Sequence, residues 1–168
     1  PWYRKLLVWP CTLVLLFILG LGAVDCNFLW LFGHSPGFSD IEKPVVSEAS
    51  EIYSADSVLL GRYFSENRTP VEYGEISPVL IHTLIDTEDE RFYHHHGVDF
   101  TGLFAAVKDM ARGHARGAST ITQQLAKNLF RVRTQYSTGL LGHIPGVRLL
   151  VMKAKEWIVA VKLEMIFS

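Results

Sequence analysis

Glu88-Asp89-Glu90-Arg91-Phe92-Tyr93-His94-His95-His96-Gly97 and, beginning twenty residues after it, Gly117-Ala118-Ser119-Thr120-Ile121-Thr122-Gln123-Gln124-Leu125-Ala126-Lys127-Asn128 are the stretches on which the reading of this chain turns. The first sets a carboxylate pair beside aromatic rings and imidazoles. The second is a small-residue turn opening into a helix whose first turns carry hydroxyls, amides and an ammonium. Thr120 and Gln123 have capping-box spacing, Ile121, Leu125 and Leu129 form a stripe expected to be buried, and Gln123 and Lys127 share another face. Exposed amides and the helix dipole make such a start suitable for a phosphate, and Lys127 lies one turn inside it.

Upstream, Ser77-Pro78 supplies an N-cap and a proline at the first helical position, and Leu80, Ile81, Leu84 and Ile85 repeat at helical spacing, which predicts a helix ending near Glu88. There the negative end of the dipole and nearby Phe92 would both disfavour an ionised carboxylate, which suits Glu88 to act as a general base. A surface glutamate in an acidic cluster is the competing reading of equal weight. The three consecutive histidines point in different directions, whereas chelation from a helix needs a spacing of about four. Ser119 and Thr120 lack the adjacent base a nucleophile requires, so capping is their better-supported role.

Working outward, residues 51–64 are two short β-favouring runs separated by Ala55-Asp56-Ser57, a small hairpin. Phe100, Leu103, Phe104 and Val107 mark one face of a helix ending around Gly113. The stretch 139–147 is apolar but broken by Gly and Pro; it is packed in the domain or it touches lipid. A last helix runs from about Arg148, with Lys155 and Lys162 on one face and Lys153 and Glu156 on the other, where a carboxylate among apolar neighbours needs a reason to be. Residues 33–44, rich in Gly, Ser and Pro, read as a linker. Asn67-Arg68-Thr69 matches a glycosylation sequon by chance.

At the N-terminus, residues 6–24 are 19 positions without a charge, close to what the roughly 30 Å hydrocarbon core requires at about 1.5 Å per residue. A membrane anchor fits better than a cleaved signal peptide, whose apolar region is shorter. Arg4 and Lys5 before the span and Asp25 after it place the N-terminus in the cytoplasm and the rest outside, with Trp2, Tyr3, Phe28 and Trp30 at the interfaces. The boundaries expected are a cytoplasmic tip and anchor over 1–30, a linker over 31–45 and one domain over 46–168. The chain starts without Met and stops inside an apolar helical pattern, so it reads as a fragment. The net charge of −1 hides a division: residues 25–107 hold 14 acids and 4 Lys/Arg, residues 108–168 hold 3 acids and 10 Lys/Arg. The second half is built to meet anions. Cys11 in the span and Cys26 at its edge offer no disulfide framework.

These residues also carry a family resemblance. E-D-x-x-F-x-x-H-x-G at 88–97 and G-x-S-T-I-T-Q-Q at 117–124 resemble the first two motifs of the peptidoglycan glycosyltransferases, glycosyltransferase family 51. Lys153-Ala154-Lys155-Glu156 resembles the third, usually R-K-x-x-E. The likeness covers roughly residues 45–168 and extends to the segment that precedes this core in class A penicillin-binding proteins. Ala118 replaces the usual Gly, Met152 replaces the Arg of the third motif, and the two later motifs are absent.

The resemblance implies a mainly helical, lysozyme-like fold, α+β through the hairpin, that polymerises lipid II at the outer face of the bacterial cytoplasmic membrane. It implies Glu88 as the base that deprotonates the 4-hydroxyl of the acceptor GlcNAc for inverting attack on C1 of the donor MurNAc, expelling undecaprenyl pyrophosphate. Lys127 and Arg148 match positions assigned to the pyrophosphate, Glu156 the second essential carboxylate. Ser119, Thr120, Gln123 and Gln124 would shape the donor pocket, with Asp89, Phe92, His95, Gly97 and Lys153 also binding substrate. A divalent metal, Mg or Mn, could help the leaving group depart, but no ligand set is legible. Expected partners are lipid II, the growing glycan strand, membrane lipid and other cell-wall synthesis proteins; nucleic acid is not among them. Two alternatives are a muramidase or lytic transglycosylase, which would use one Glu as an acid and need no anion cradle, and a catalytically silent anchored scaffold.

Overall fold

The computed structural model describes residues 2–44, 50–63, 71–114, 117–133 and 138–167, with side chains from residue 8 onward. The sequon at 67–69 and Phe64 of the second β run lie outside the described residues.

Helix α1 spans Trp2–Asp25. Within it Val8–Asp25 has a mean hydropathy of 2.0 and only 6% of that window is buried, the length and composition of a membrane span. Asn27, Leu29 and Trp30 then adopt left-handed backbone angles (φ 51°, 52° and 57°), and the chain folds back onto the domain. The segment expected to be a linker is packed here. It contains a short helix, α2 (Phe38–Glu42), whose Ile41 is completely buried, and Ser35 is buried with it. Composition signals the absence of long regular structure in residues 33–44; it cannot signal that helix partners more than a hundred residues away hold the segment down.

The hairpin forms as expected, with β1 (Ser50–Tyr53) antiparallel to β2 (Leu59–Tyr63) and Ser50 opposite Tyr63. Ser54 makes the turn: its amide donates to the Val58 carbonyl and its hydroxyl accepts from the Val58 amide at 3.1 Å. Helix α3 (Pro78–Glu88) ends at the glutamate the spacing indicated, although its stripe is not buried among the described residues: Leu80 and Leu84 are exposed. Helix α4 (Phe100–Ala111) is capped by Asp99 through the Gly102 amide, and its Phe100, Phe104 and Val107 are likewise exposed.

Helix α5 (Ile121–Leu129) is capped by Thr120, whose hydroxyl accepts from the Gln123 amide. Its buried face differs from the expected stripe. Thr122, Gln123 and Ala126 are buried, whereas Leu125 is 45% exposed, and Ile121, Leu125 and Leu129 line an apolar groove of about 310 Å³ with Phe92 and Leu163. Polar side chains go inside because each finds a partner there, as Thr122 does by donating to Glu164 Oε1 at 2.6 Å. The last helix, α6 (Pro145–Phe167), begins three residues earlier than expected, after a 3₁₀ turn over Leu140–His143. The core is where α2, α5 and α6 meet: Ile41, Ala126, Phe130, Val132, Val159 and Leu163.

Candidate active site

Asp89 joins the two motifs. Its carboxylate, buried at the end of α3, accepts from the Ile121 amide at 3.0 Å, the first helical position of α5. His95 Nε2 lies 3.0 Å from Oδ1 and 3.1 Å from Oδ2; an ionised carboxylate only accepts, so Nε2 carries the proton in this contact. A second tie runs from Thr120 Oγ1 to the Gly97 carbonyl at 2.7 Å. Gly97 cannot be another residue without cost: its φ is +79°, and a Cβ there would stand 2.7 Å from the Ala160 carbonyl oxygen of α6. The glycine lets the first motif lie directly on the α6 backbone. Asp89, His95 and Gly97, expected to bind substrate, build this frame, and Asp89 also lines the cleft beside it.

Beside this frame lies an open cleft whose lining includes Glu88, Arg91, Asp99, Ser119 and Thr120. Glu88 is exposed to it and accepts a 2.7 Å hydrogen bond from Gln124 Nε2. That amide fixes one carboxylate oxygen and leaves the other available to take a proton. Deeper in, Arg91 Nη2 meets Asp99 Oδ2 at 2.6 Å. Burial opposes ionisation of Asp99, but the Gly102 amide and the Arg91 guanidinium together hold its carboxyl below the usual value.

On the far side of the α5 start, Lys153 spends its three protons on Ser119 Oγ (3.2 Å), Gln123 Oε1 (3.1 Å) and Glu156 Oε2 (2.9 Å). Glu156 is almost fully buried and is also held by Nε of Arg133. This is the reason the carboxylate sits among apolar neighbours: two cations pay for its desolvation. Lys153 is saturated. Arg133, with 47% of its side chain exposed, keeps donors free for an anion outside the cluster.

Arg133 was not singled out in the sequence. The available signal is an arginine immediately after Val132, an apolar residue that is packed in the core, just beyond α5. The resemblance instead implied Arg148, which the structure places elsewhere. Five residues before Lys153, it lies some 140° around α6, on the face of Lys155, exposed and with no side-chain hydrogen bond or ion pair among the described residues. Phe92 is also displaced. It stands in a 3₁₀ turn (Phe92–His94), packs edge-on against Tyr93 and His95, and lines the apolar groove rather than the Glu88 cleft, because the turn reverses the chain between residues 88 and 92. Lys127, half-buried, lies one turn beyond Gln123 on the same face, and its side chain makes no hydrogen bond or ion pair among the described residues. No group of three or more His, Cys, Asp or Glu able to hold a metal ion occurs among the described residues.

A buried polar frame joining α3 to α5, a cleft to which the exposed carboxylates of Glu88 and Glu90 both contribute, and a cationic cluster on the opposite side of the α5 start make up the candidate site. Comparison with known proteins gives the family. A family model described as Transglycosylase matches residues 56–168, and the chain belongs to that family, whose class is the peptidoglycan glycosyltransferases. It is 35% identical over 153 residues to penicillin-binding protein 1A of Escherichia coli (strain K12), a match covering 90% of this chain and 16% of that protein. It is 34% identical over 168 residues to penicillin-binding protein 1F of Bacillus subtilis (strain 168), covering 98% of this chain and 21% of that protein. The chain thus spans about a fifth or less of these relatives' length. No solved structure matches it.

Proposed function

We propose that this chain polymerises lipid II into glycan strands by inverting glycosyl transfer, anchored by α1 with its N-terminus in the cytoplasm. Glu88 takes the proton of the acceptor 4-hydroxyl as that oxygen attacks the donor C1; the C1–oxygen bond to the pyrophosphate breaks, and undecaprenyl pyrophosphate leaves with the bonding pair. Gln124 orients the base. Arg133 and Lys127 receive the negative charge that builds on the leaving group, and Lys153 with Glu156 keeps the start of α5 and Ser119 in place. The observation that carries this reading is the pairing of one oriented, solvent-facing carboxylate with a cationic cluster on either side of a single helix start.

The test is incubation of the protein in detergent with labelled lipid II, with and without Glu88→Gln. The parent should make strands, and the variant should be slower by about 10²–10⁴-fold, the worth of a positioned general base. Full polymerisation by the variant would overturn the mechanism. Shortening of preformed glycan without polymerisation would move the assignment to a lytic enzyme.

A further inference from the structure

Resting on the reaction proposed above, we infer that Arg133 takes the place of the third-motif arginine that Met152 has displaced, so that a cation usually carried by the last helix is delivered from the end of α5. The third motif usually reads R-K-x-x-E, whereas residues 152–156 read Met-Lys-Ala-Lys-Glu. Met152 stands one turn before Glu156 on α6, where an arginine could pair with that carboxylate. Here the position is apolar and buried. Glu156, itself 2% exposed, takes Lys153 of α6 at Oε2 and Nε of Arg133 at Oε1. The cation absent at residue 152 is thus supplied from 23 residues upstream of Glu156.

The fold holds Arg133 to this position. Arg131 adopts a left-handed backbone angle (φ 46°) that turns the chain after α5. Val132 then packs, completely buried, in one cluster with Val159 and Leu163 of α6. The next residue is therefore pinned beside α6. Nε engages Glu156, while the terminal Nη1 and Nη2 groups have no acceptor among the described residues and 47% of the side chain is exposed. One edge of the guanidinium is fixed by a buried carboxylate, and the remaining donors present the planar fork that suits a phosphate. Lys153 cannot serve in the same way, because its three protons already go to Ser119, Gln123 and Glu156. Arg133 is thus the member of the Glu156 cluster able to bind a pyrophosphate group.

The test uses the whole chain in detergent with two readouts, affinity for inorganic pyrophosphate by titration calorimetry and polymerisation of labelled lipid II. Arg133→Met should weaken pyrophosphate binding and lower kcat/KM by about 10–100-fold, and adding Met152→Arg to it should bring both back to within about threefold of the parent. Arg133→Lys keeps a cation for Glu156 but loses the fork, and should bind pyrophosphate at least about fivefold more weakly than the parent. If Arg133→Met does not fold, Arg133→Lys and the double variant carry the comparison. Parent-like pyrophosphate affinity in Arg133→Lys would make Arg133 a mere neutraliser of Glu156 and overturn the inference. So would a double variant no better than Arg133→Met, or a parent that does not bind pyrophosphate. The expected binding pattern in a parent that makes no strands would refute the polymerisation and support the relocated arginine.

Discussion

Removing the Asp89 carboxylate should destabilise the domain as much as it damages activity, because the group is a joint between the motifs as well as part of the cleft lining. In Asp89→Ala the Ile121 amide loses its acceptor and the start of α5 loses a negative charge, worth about 1 kcal/mol as a cap and up to about 1 kcal/mol as a dipole partner. The His95 Nε2–H, on a side chain 7% exposed, is left without an acceptor, at about 1–3 kcal/mol. The sum is about 2–5 kcal/mol, a large share of a domain stability of about 5–15 kcal/mol. Asp89→Asn keeps an acceptor for Ile121 but turns a donor toward His95. Relief requires moving the imidazole proton to Nδ1, which is buried and has no partner, so this variant should cost less, about 1–2 kcal/mol. Thermal unfolding in detergent should show Asp89→Ala lower by roughly 10 °C or more and Asp89→Asn in between. An Asp89→Ala protein that melts with the parent while its KM for lipid II rises would refute this reasoning and restore Asp89 to the substrate-binding set.

Ile41→Ala should cost about 2–5 kcal/mol of unfolding free energy, since Ile41 is wholly buried in the core; a true linker residue would cost almost nothing in the same denaturation experiment. Arg133→Met should lower kcat/KM by about 10–100-fold, the loss of a hydrogen bond between charged groups, whereas Arg148→Met should leave the polymerisation rate close to the parent's. Lys155 is buried, and that burial lowers its pKa from 10.5 to about 8. The folded state therefore binds the proton less tightly than the unfolded chain does, and the charged form is penalised by about 3 kcal/mol below pH 8. Stability should rise as pH climbs from about 8 to about 10.5, and Lys155→Met, compared by unfolding at each pH, should lack that rise.

The sequence was most legible where the determinants are local. Ser77-Pro78 started α3 and its apolar spacing carried it to Glu88. Thr120 and Gln123 marked the cap of α5, and the charge-free run of residues 6–24 marked α1. It was least legible where a distant partner decides. Residues 33–36 contain no periodic signal, yet Lys155 donates to the Gly33 and His34 carbonyls and Lys162 to the Pro36 carbonyl; nothing within the segment itself announces an ammonium on α6. The face of α5 was misjudged for a related reason. Apolar residues ordinarily outrank Thr and Gln for burial, but Gln123 and Thr122 have acceptors on Gly97 and Glu164, and the leucines were left to line a groove.

The two faces of α6 explain how the anchor and the site are coupled. Lys155 and Lys162 share one side of the helix, and both hold the juxtamembrane segment; Lys162 also meets Asp25, the last residue of α1, at 2.6 Å. Phe17 of α1 and Phe100 of α4 both pack edge-on against Trp157 between them. On the other side, Lys153 and Glu156 brace the start of α5, and the Ala160 backbone receives Gly97. A rotation of α6 about its axis would therefore strain both the partly buried Lys162–Asp25 pair at the end of α1 and the close glycine contact beneath the first motif. One rigid helix thus fixes the orientation of Glu88 and Gln124 relative to the span. Under the proposed reaction, that sets the direction from which a lipid-linked donor reaches Glu88.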